Sequence, residues 1–222
     1  MPDAPRTALV LGATGLVGGH LLDLLLVDPA WTRVLTLGRR PAARDSPKLQ
    51  QHVVGFDRVD EHAEAFAVDA VFCCLGTTIK AAGSQEEFRR VDHDYPVAAA
   101  RLASGRGAPH FLIVTALGAD AGSGVFYNRV KGEVERDVSA LPFAGVTIAR
   151  PSLILGERTG RRTAEGVAQT LAPILNPLLV GPLRRYRAIR AESIARALVT
   201  LARKGPAGVR VVENDELAAL GA

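Results

Sequence analysis

Tyr127 and Lys131 stand four positions apart in "VFYNRVKGEVERDVSA" (125–140), a stretch with helical spacing. Residues at i and i+4 share one helical face, so the phenol and the ammonium are expected side by side. A free phenol titrates near pH ~10, too high to exchange its proton readily at neutrality. A neighbouring ammonium stabilises the phenolate and brings that proton into working range. Such a pair can give a proton to a carbonyl oxygen while hydride arrives at the carbon, or run the same step backwards. The chain has three tyrosines and four lysines, so a chance match of this spacing is uncommon.

For that chemistry the helix must start beside a sheet edge where a ligand can lie. "TALVLG" (7–12), "TRVLTLGRR" (32–40), "HVVGFD" (52–57), "AVFCCLG" (70–76), "HFLIVTALG" (110–118) and "GVTIARPS" (145–152) read as short apolar strands. Helical stretches alternate with them. "LVGGHLLDLLLVDP" stops at Pro29, and "SQEEFRRVDHDYPVAAARLAS" (84–104) opens with Ser84 and Glu87 in capping-box spacing. "AESIARALVTLARKG" (191–205) reads as a further helix and "VRVVEN" (209–214) as a last strand. The alternation predicts an α/β fold, a doubly wound parallel sheet of Rossmann type, in one domain spanning 1–222. The segment 156–190, broken by Pro173, Pro177 and Pro182, reads as a small cap over the sheet's carboxyl edge.

The first strand runs into Gly12, Gly15 and Gly18, a G-x-x-G-x-x-G turn that opens a helix. Glycine lets a pyrophosphate approach the backbone with no Cβ in the way, and the amides and positive helix end then bind the anion. Thr14, Leu16 and Val17 complete this cofactor-binding turn. An NAD site usually places an acid at the end of the second strand, roughly 20 residues on. Here the strand ends in Arg39 and Arg40, whose guanidinium groups suit a 2′-phosphate, so NADP(H) is expected over NAD. Asp57, ending the third strand, either bonds the adenine amino group or caps the next helix.

The glycine turn, "FCCLGTT", "GAD", "YNRVKGE" and "RPS", in this order, resemble the short-chain dehydrogenase/reductase superfamily over residues 7–155. Within it they are similar to the atypical branch of Tat-interacting oxidoreductases and small bacterial relatives. The resemblance implies an NADP-binding fold with Tyr127 and Lys131 in the catalytic positions and Lys131 also on the nicotinamide ribose. It further implies that Leu75, Gly76 and Thr77 run along the cofactor and that Arg150 and Pro151 close the sixth strand near the nicotinamide. Relatives carry a serine or threonine after the fifth strand to hold the substrate oxygen. Here Thr115 is the hydroxyl available, with Ala116 and Leu117 following it and Ser123 as fallback. The substrate class implied is a small carbonyl or alcohol. The same site also fits a nucleotide-sensing regulator that docks a partner on 171–183.

Other classes find less support. The chain has 222 residues, 48% apolar and 23% charged, with net charge +4, enough for one core and without the composition of disorder. Its arginines are dispersed and lack interleaved aromatics, which argues against nucleic acid. No apolar run reaches the roughly 20 residues that span a bilayer. No secretory leader is expected. Cys73 and Cys74 are adjacent in a strand, so they should point to opposite faces as small core residues of a reducing, cytoplasmic compartment. No metal is expected: in "DHD" (92–94) at most two groups could face one ion. His20, His110 and Lys80 read as structural or solvated, and no G-x-S-x-G follows a strand. Arg158, Arg161, Arg162, Arg184, Arg185 and Arg187 bracket the cap, where they either contact an anionic substrate or solubilise it. Self-association is left open.

Overall fold

Alternate side chains of a strand point to opposite faces of its sheet, and here both sets are apolar. The computed structural model describes residues 5–156, 179 and 181–222. In β1 (Arg6–Leu11), Ala8 and Val10 enter one apolar layer while Leu9 and Leu11 enter the other. The same division recurs in β2 (Trp31–Gly38), between Val34 and its neighbours Leu35 and Leu37. After β3 (Leu49–Val53), it reappears in β4 (Ala70–Cys73), where Phe72 and Cys73 part to opposite layers. Cys74 packs against the layer that Cys73 does not, so the two thiols do point apart. Strands that are apolar on both faces must be covered on both.

The sheet has seven parallel strands in the order β3-β2-β1-β4-β5-β6-β9, with β5 His110–Val114, β6 Gly145–Arg150 and β9 Gly208–Glu213. A separate parallel pair joins β7 (Ile154–Leu155) to β8 (Ile189–Arg190). Strand order reverses at β1, whose neighbours β2 and β4 lead to opposite sides, and such a reversal opens a crevice at the carboxyl ends. One layer is closed by α1 (Leu16–Val27) and by two later helices. The other is closed by a 3-10 stretch, Phe56–Phe66, and by α4 (Tyr95–Gly105) and α5 (Phe126–Ser139), which follow the short α2 (Ile79–Ala82) and α3 (Gln85–Arg89). The later helices are α6 (Ala191–Lys204) and α7 (Asn214–Leu220).

The doubly wound parallel sheet is as expected, with local differences that have physical causes. The third strand was expected at 52–57 but runs over Leu49–Val53; Val54 then bonds the Gly38 carbonyl at 2.9 Å and the chain turns, dropping Phe56, Val59 and Phe66 into the core. The helix expected over 84–104 does begin at Ser84, whose hydroxyl accepts from the Glu87 amide at 3.0 Å. It is not uniform, however: Arg90–Asp94 is a π-helical turn, in which the Tyr95 amide donates to the Arg90 carbonyl five residues back. Pro96 explains it. Proline has no amide hydrogen, and its ring clashes with the carbonyl four residues earlier, that of Asp92, so the turn widens. α7 and the β7–β8 pair were not anticipated. Most of the expected cap at 156–190, with Arg158, Arg161 and Arg162, lies outside the described residues.

Candidate functional site

The turn after β1 is built from backbone. Gly12 has φ +82°, and a Cβ there would stand 2.6 Å from the Cys74 carbonyl oxygen. A Cβ on Gly18 would come within 2.2 Å of the Gly12 carbonyl oxygen. Only glycine permits this packing of α1 against the strand ends. Gly15 caps α1 without a side-chain hydrogen bond, and the first turn carries no acid. Thr14 and Gly15 are exposed, Leu16 is half-buried, and Val17 and Gly18 are buried, so their contribution at the surface is main-chain amides. An uncapped, acid-free helix start fits a pyrophosphate.

Around that turn stand the ends of β2, β3 and β4. Arg39 and Arg40 follow β2, both exposed, and neither makes an ion pair among the described residues. Asp57 does not cap the 3-10 stretch with its side chain. Its Oδ1 accepts from Arg90 Nη2 at 2.5 Å and from the Tyr95 hydroxyl at 2.8 Å. These bonds, that from Arg90 foremost, hold its carboxyl below the usual range. After β4, Leu75 is half-buried and Gly76 exposed, and the Thr77 amide donates to Asp92 Oδ2 at 2.9 Å.

Tyr127, Lys131 and Glu135 fall at successive i+4 positions of α5. The Tyr127 ring is half-buried against Phe88, centroids 5.5 Å apart, and its hydroxyl has no hydrogen-bond partner among the described residues. Lys131 is buried, with Nζ 2.7 Å from Oδ1 of Asp92, a residue with no exposed side-chain surface. Burial opposes the Lys131 ammonium, yet attraction to Asp92, then to an ionised Tyr127, outweighs it and carries the lysine above its ordinary value. Burial pushes the Asp92 carboxyl up, against the pull of Lys131.

The next turn of α5 is spent differently. Glu135 Oε1 accepts from the Thr115 hydroxyl at 2.5 Å, and Arg150 Nη2 lies 2.5 Å from Oε2. Arg150 also reaches Glu213 on β9 at 3.2 Å. Two residues expected at the site thus have protein partners. The Thr115 hydroxyl donates to a buried carboxylate, because a buried Glu135 requires donors. Arg150 does close β6, but its guanidinium bonds Glu135 and Glu213. Pro151 is buried, its carbonyl accepting from the Leu117 amide at 2.8 Å. The Ser123 hydroxyl accepts from the Val125 amide at 3.1 Å, in the loop before α5.

Sequence reasoning missed Asp92 and Glu135 as partners of the α5 face. For Asp92 a signal existed: Pro96, four residues on, marks the distorted turn. "DHD" is divided among three tasks, since His93 lies between Asp94 at 2.7 Å and Asp137 at 3.0 Å. No group of three His, Cys, Asp or Glu among the described residues could hold a metal, and none of the described helices is long and apolar enough to cross a membrane.

Residues 8–210 match the model of the NAD dependent epimerase/dehydratase family. The chain belongs to that family. Within reach of this epimerase/dehydratase-family chain is the rat protein HTATIP2, 34% identical over 221 residues, 97% of this chain and 89% of that one. "Protein fmp52, mitochondrial" of Aspergillus clavatus is 35% identical over 213 residues, 93% of this chain and 88% of that one. Among solved structures, MoeE5 in complex with UDP-glucuronic acid and NAD superposes with TM-score 0.70 at 18% identity, covering 93% of this chain and 75% of MoeE5. A putative NAD-dependent epimerase/dehydratase from Bacillus halodurans gives 0.67 at 18% identity over 97% and 98%. These structures bear out the Rossmann-like fold. One expectation is overturned: fungal relatives, including that of Eremothecium gossypii at 33% identity, are named mitochondrial, which points away from a purely cytoplasmic location.

Proposed function

We propose that this family member is an NADP(H)-dependent oxidoreductase that interconverts a small carbonyl and its alcohol. The observation that carries the reading is Lys131: buried, ion-paired, and electrostatically coupled to a half-buried Tyr127 whose hydroxyl is free of partners among the described residues. When bound, the dinucleotide supplies or accepts the hydride at its nicotinamide. Amides of the Gly12–Gly18 turn would hold its pyrophosphate, and Arg39 and Arg40 the 2′-phosphate. In reduction, Tyr127 gives its hydroxyl proton to the substrate oxygen as the carbon is reduced. The charge left on the phenol faces Lys131. In oxidation the proton returns to Tyr127. The NAD in MoeE5 and the cofactor in the family's name support a dinucleotide here; the arginine pair supports the phosphorylated one.

One observation favours a second reading, a nucleotide-binding regulator with little turnover. Thr115, the hydroxyl expected to hold the substrate oxygen, is bound to Glu135. Tyr127→Phe decides between them when assayed on a panel of aldehydes and quinones. The oxidoreductase reading expects wild-type NADPH consumption to fall about 10²–10⁴-fold in the variant, with NADPH affinity unchanged. Absence of turnover in the wild type, with tight NADPH binding, supports the regulator.

A further inference from the structure

We propose that the substrate beside Tyr127 is an apolar carbonyl compound, an aldehyde or ketone with an alkyl substituent, held by outward-facing aliphatic side chains on the loops after β4, β5 and β6. This names a substrate class for the site of the oxidoreductase reading and rests on that reading.

These three strands are neighbours in a parallel sheet, so the loops that follow them rise side by side at its carboxyl edge. Each loop carries an exposed aliphatic side chain. Ile79 opens α2 directly after Thr77 and Thr78, Val125 stands two residues before Tyr127, and Leu153 follows Pro151 by two. The Leu117 amide ties the last two loops together through the Pro151 carbonyl at 2.8 Å. A fourth segment joins them, since the Leu153 carbonyl accepts from the Ile189 amide at 2.9 Å. The 3-10 turn Gly181–Tyr186, just before that contact, exposes Leu183 and Tyr186. The other exposed large apolar residues among those described, Val27, Val53, Val209 and Val211, are scattered over α1, β3 and β9.

Hydroxyl groups on the same loops are engaged by the protein instead. Thr77 donates to the Thr78 carbonyl at 3.5 Å, and Thr78 Oγ1 accepts from the Ala81 amide at 3.1 Å. Thr115 and Ser123 are bonded to Glu135 and to the Val125 amide. Ser152 donates to the Arg187 carbonyl, and the buried Asn214 fixes the same corner: it accepts from the Ser152 amide at 2.9 Å and donates to the Arg187 carbonyl at 2.8 Å. A singly exposed aliphatic residue is ordinary. Several of them around one reactive hydroxyl, with the polar groups between them already bonded, mark the wall of an apolar ligand's site. An alkyl chain laid on that wall releases the water covering it, and affinity then grows with each methylene buried. A sugar needs hydrogen-bond partners, and the hydroxyls of these loops are committed elsewhere.

The test uses a homologous series. Straight-chain primary amides from butanamide to decanamide have the shape of a carbonyl substrate but are not reduced, so their binding is read apart from turnover. Titrated calorimetrically into the protein with NADPH present, they should bind about threefold more tightly with each added methylene. For straight-chain aldehydes of the same lengths, kcat/KM should climb in parallel. Val125→Ser combined with Leu153→Ser should flatten the amide series, and UDP-glucose should not displace decanamide. Amide affinity that is absent or indifferent to chain length overturns the proposal, as does an unchanged slope in the double variant or displacement by UDP-glucose. If the double variant fails to fold, the wild-type amide series and the UDP-glucose competition decide. Failure of the oxidoreductase reading looks different: the amides bind with the expected slope while no aldehyde of any length is consumed.

Discussion

The two edges of the sheet treat charge in opposite ways. At the amino edge, cations and acids satisfy one another. Arg6, opening β1, donates to the Ala202 carbonyl at 3.0 Å; Lys48 donates to the Asp28 carbonyl at 2.9 Å; and Arg203 pairs with Asp28 at 2.5 Å. His110 and Thr147 meet at 2.9 Å inside the sheet. At the carboxyl edge the start of α1 has no side-chain cap, and among the described residues Arg39 and Arg40 have no ion-pair partner and the Tyr127 hydroxyl has no hydrogen bond. The charged groups named at the amino edge are partnered. Those named at the carboxyl edge are left open, as the proposed function requires of a dinucleotide site.

Glu135 tests that division most severely, since it lies near the open edge but is saturated like an amino-edge pair. Glu135→Gln leaves Thr115 with a neutral acceptor and Arg150 with Glu213 as its acidic partner, and stability should fall by about 1–3 kcal/mol, read by denaturant unfolding. NADPH affinity should not change; a large loss of affinity would move Glu135 into the binding site. The amino edge makes a prediction of comparable size through pH. Burial lowers His110 to about 4. The unfolded chain therefore binds a proton there, below an ordinary pKa of about 6.5, that the folded chain refuses. Stability from this source is complete above about pH 6.5 and is lost as pH falls toward 4, by about 3 kcal/mol. The loss should be missing from His110→Gln, and a variant with the wild-type profile would refute it. The smallest effect on the fold belongs to the open edge. Arg39→Ala combined with Arg40→Ala should leave the melting temperature unchanged and weaken NADPH about tenfold or more relative to NADH. Equal losses for both nucleotides would cancel the 2′-phosphate assignment.

The legible parts of the molecule were those in which the cause is local. Apolar strand runs, the Ser84 cap and the Gly12–Gly18 turn each depend on neighbours a few residues away. Tyr127 and Lys131 were readable for the same reason: one helical turn relates them. Asp92 and Lys131 are on separate helices and meet only after the sheet is assembled, so Pro96 marks the distorted turn but no spacing announces the pairing. The same holds for Glu135, which gathers Arg150 and Thr115 from other elements. β3 was misplaced because "HVVGFD" carries apolar residues for two purposes, the first part pairing with β2 and Phe56 filling the core beneath a turn.

The parting of Cys73 and Cys74 to opposite layers has a practical result. Burial pushes the Cys73 thiol up to about 12 and raises Cys74 as well. At pH 8 only about one Cys73 in ten thousand is then a thiolate. Adjacent along the chain but facing apart, the two sulfurs are poorly placed to join. Alkylation of Cys73 should therefore stay silent on the intact molecule and appear when β4 leaves the sheet, giving this protein an internal clock for its own opening.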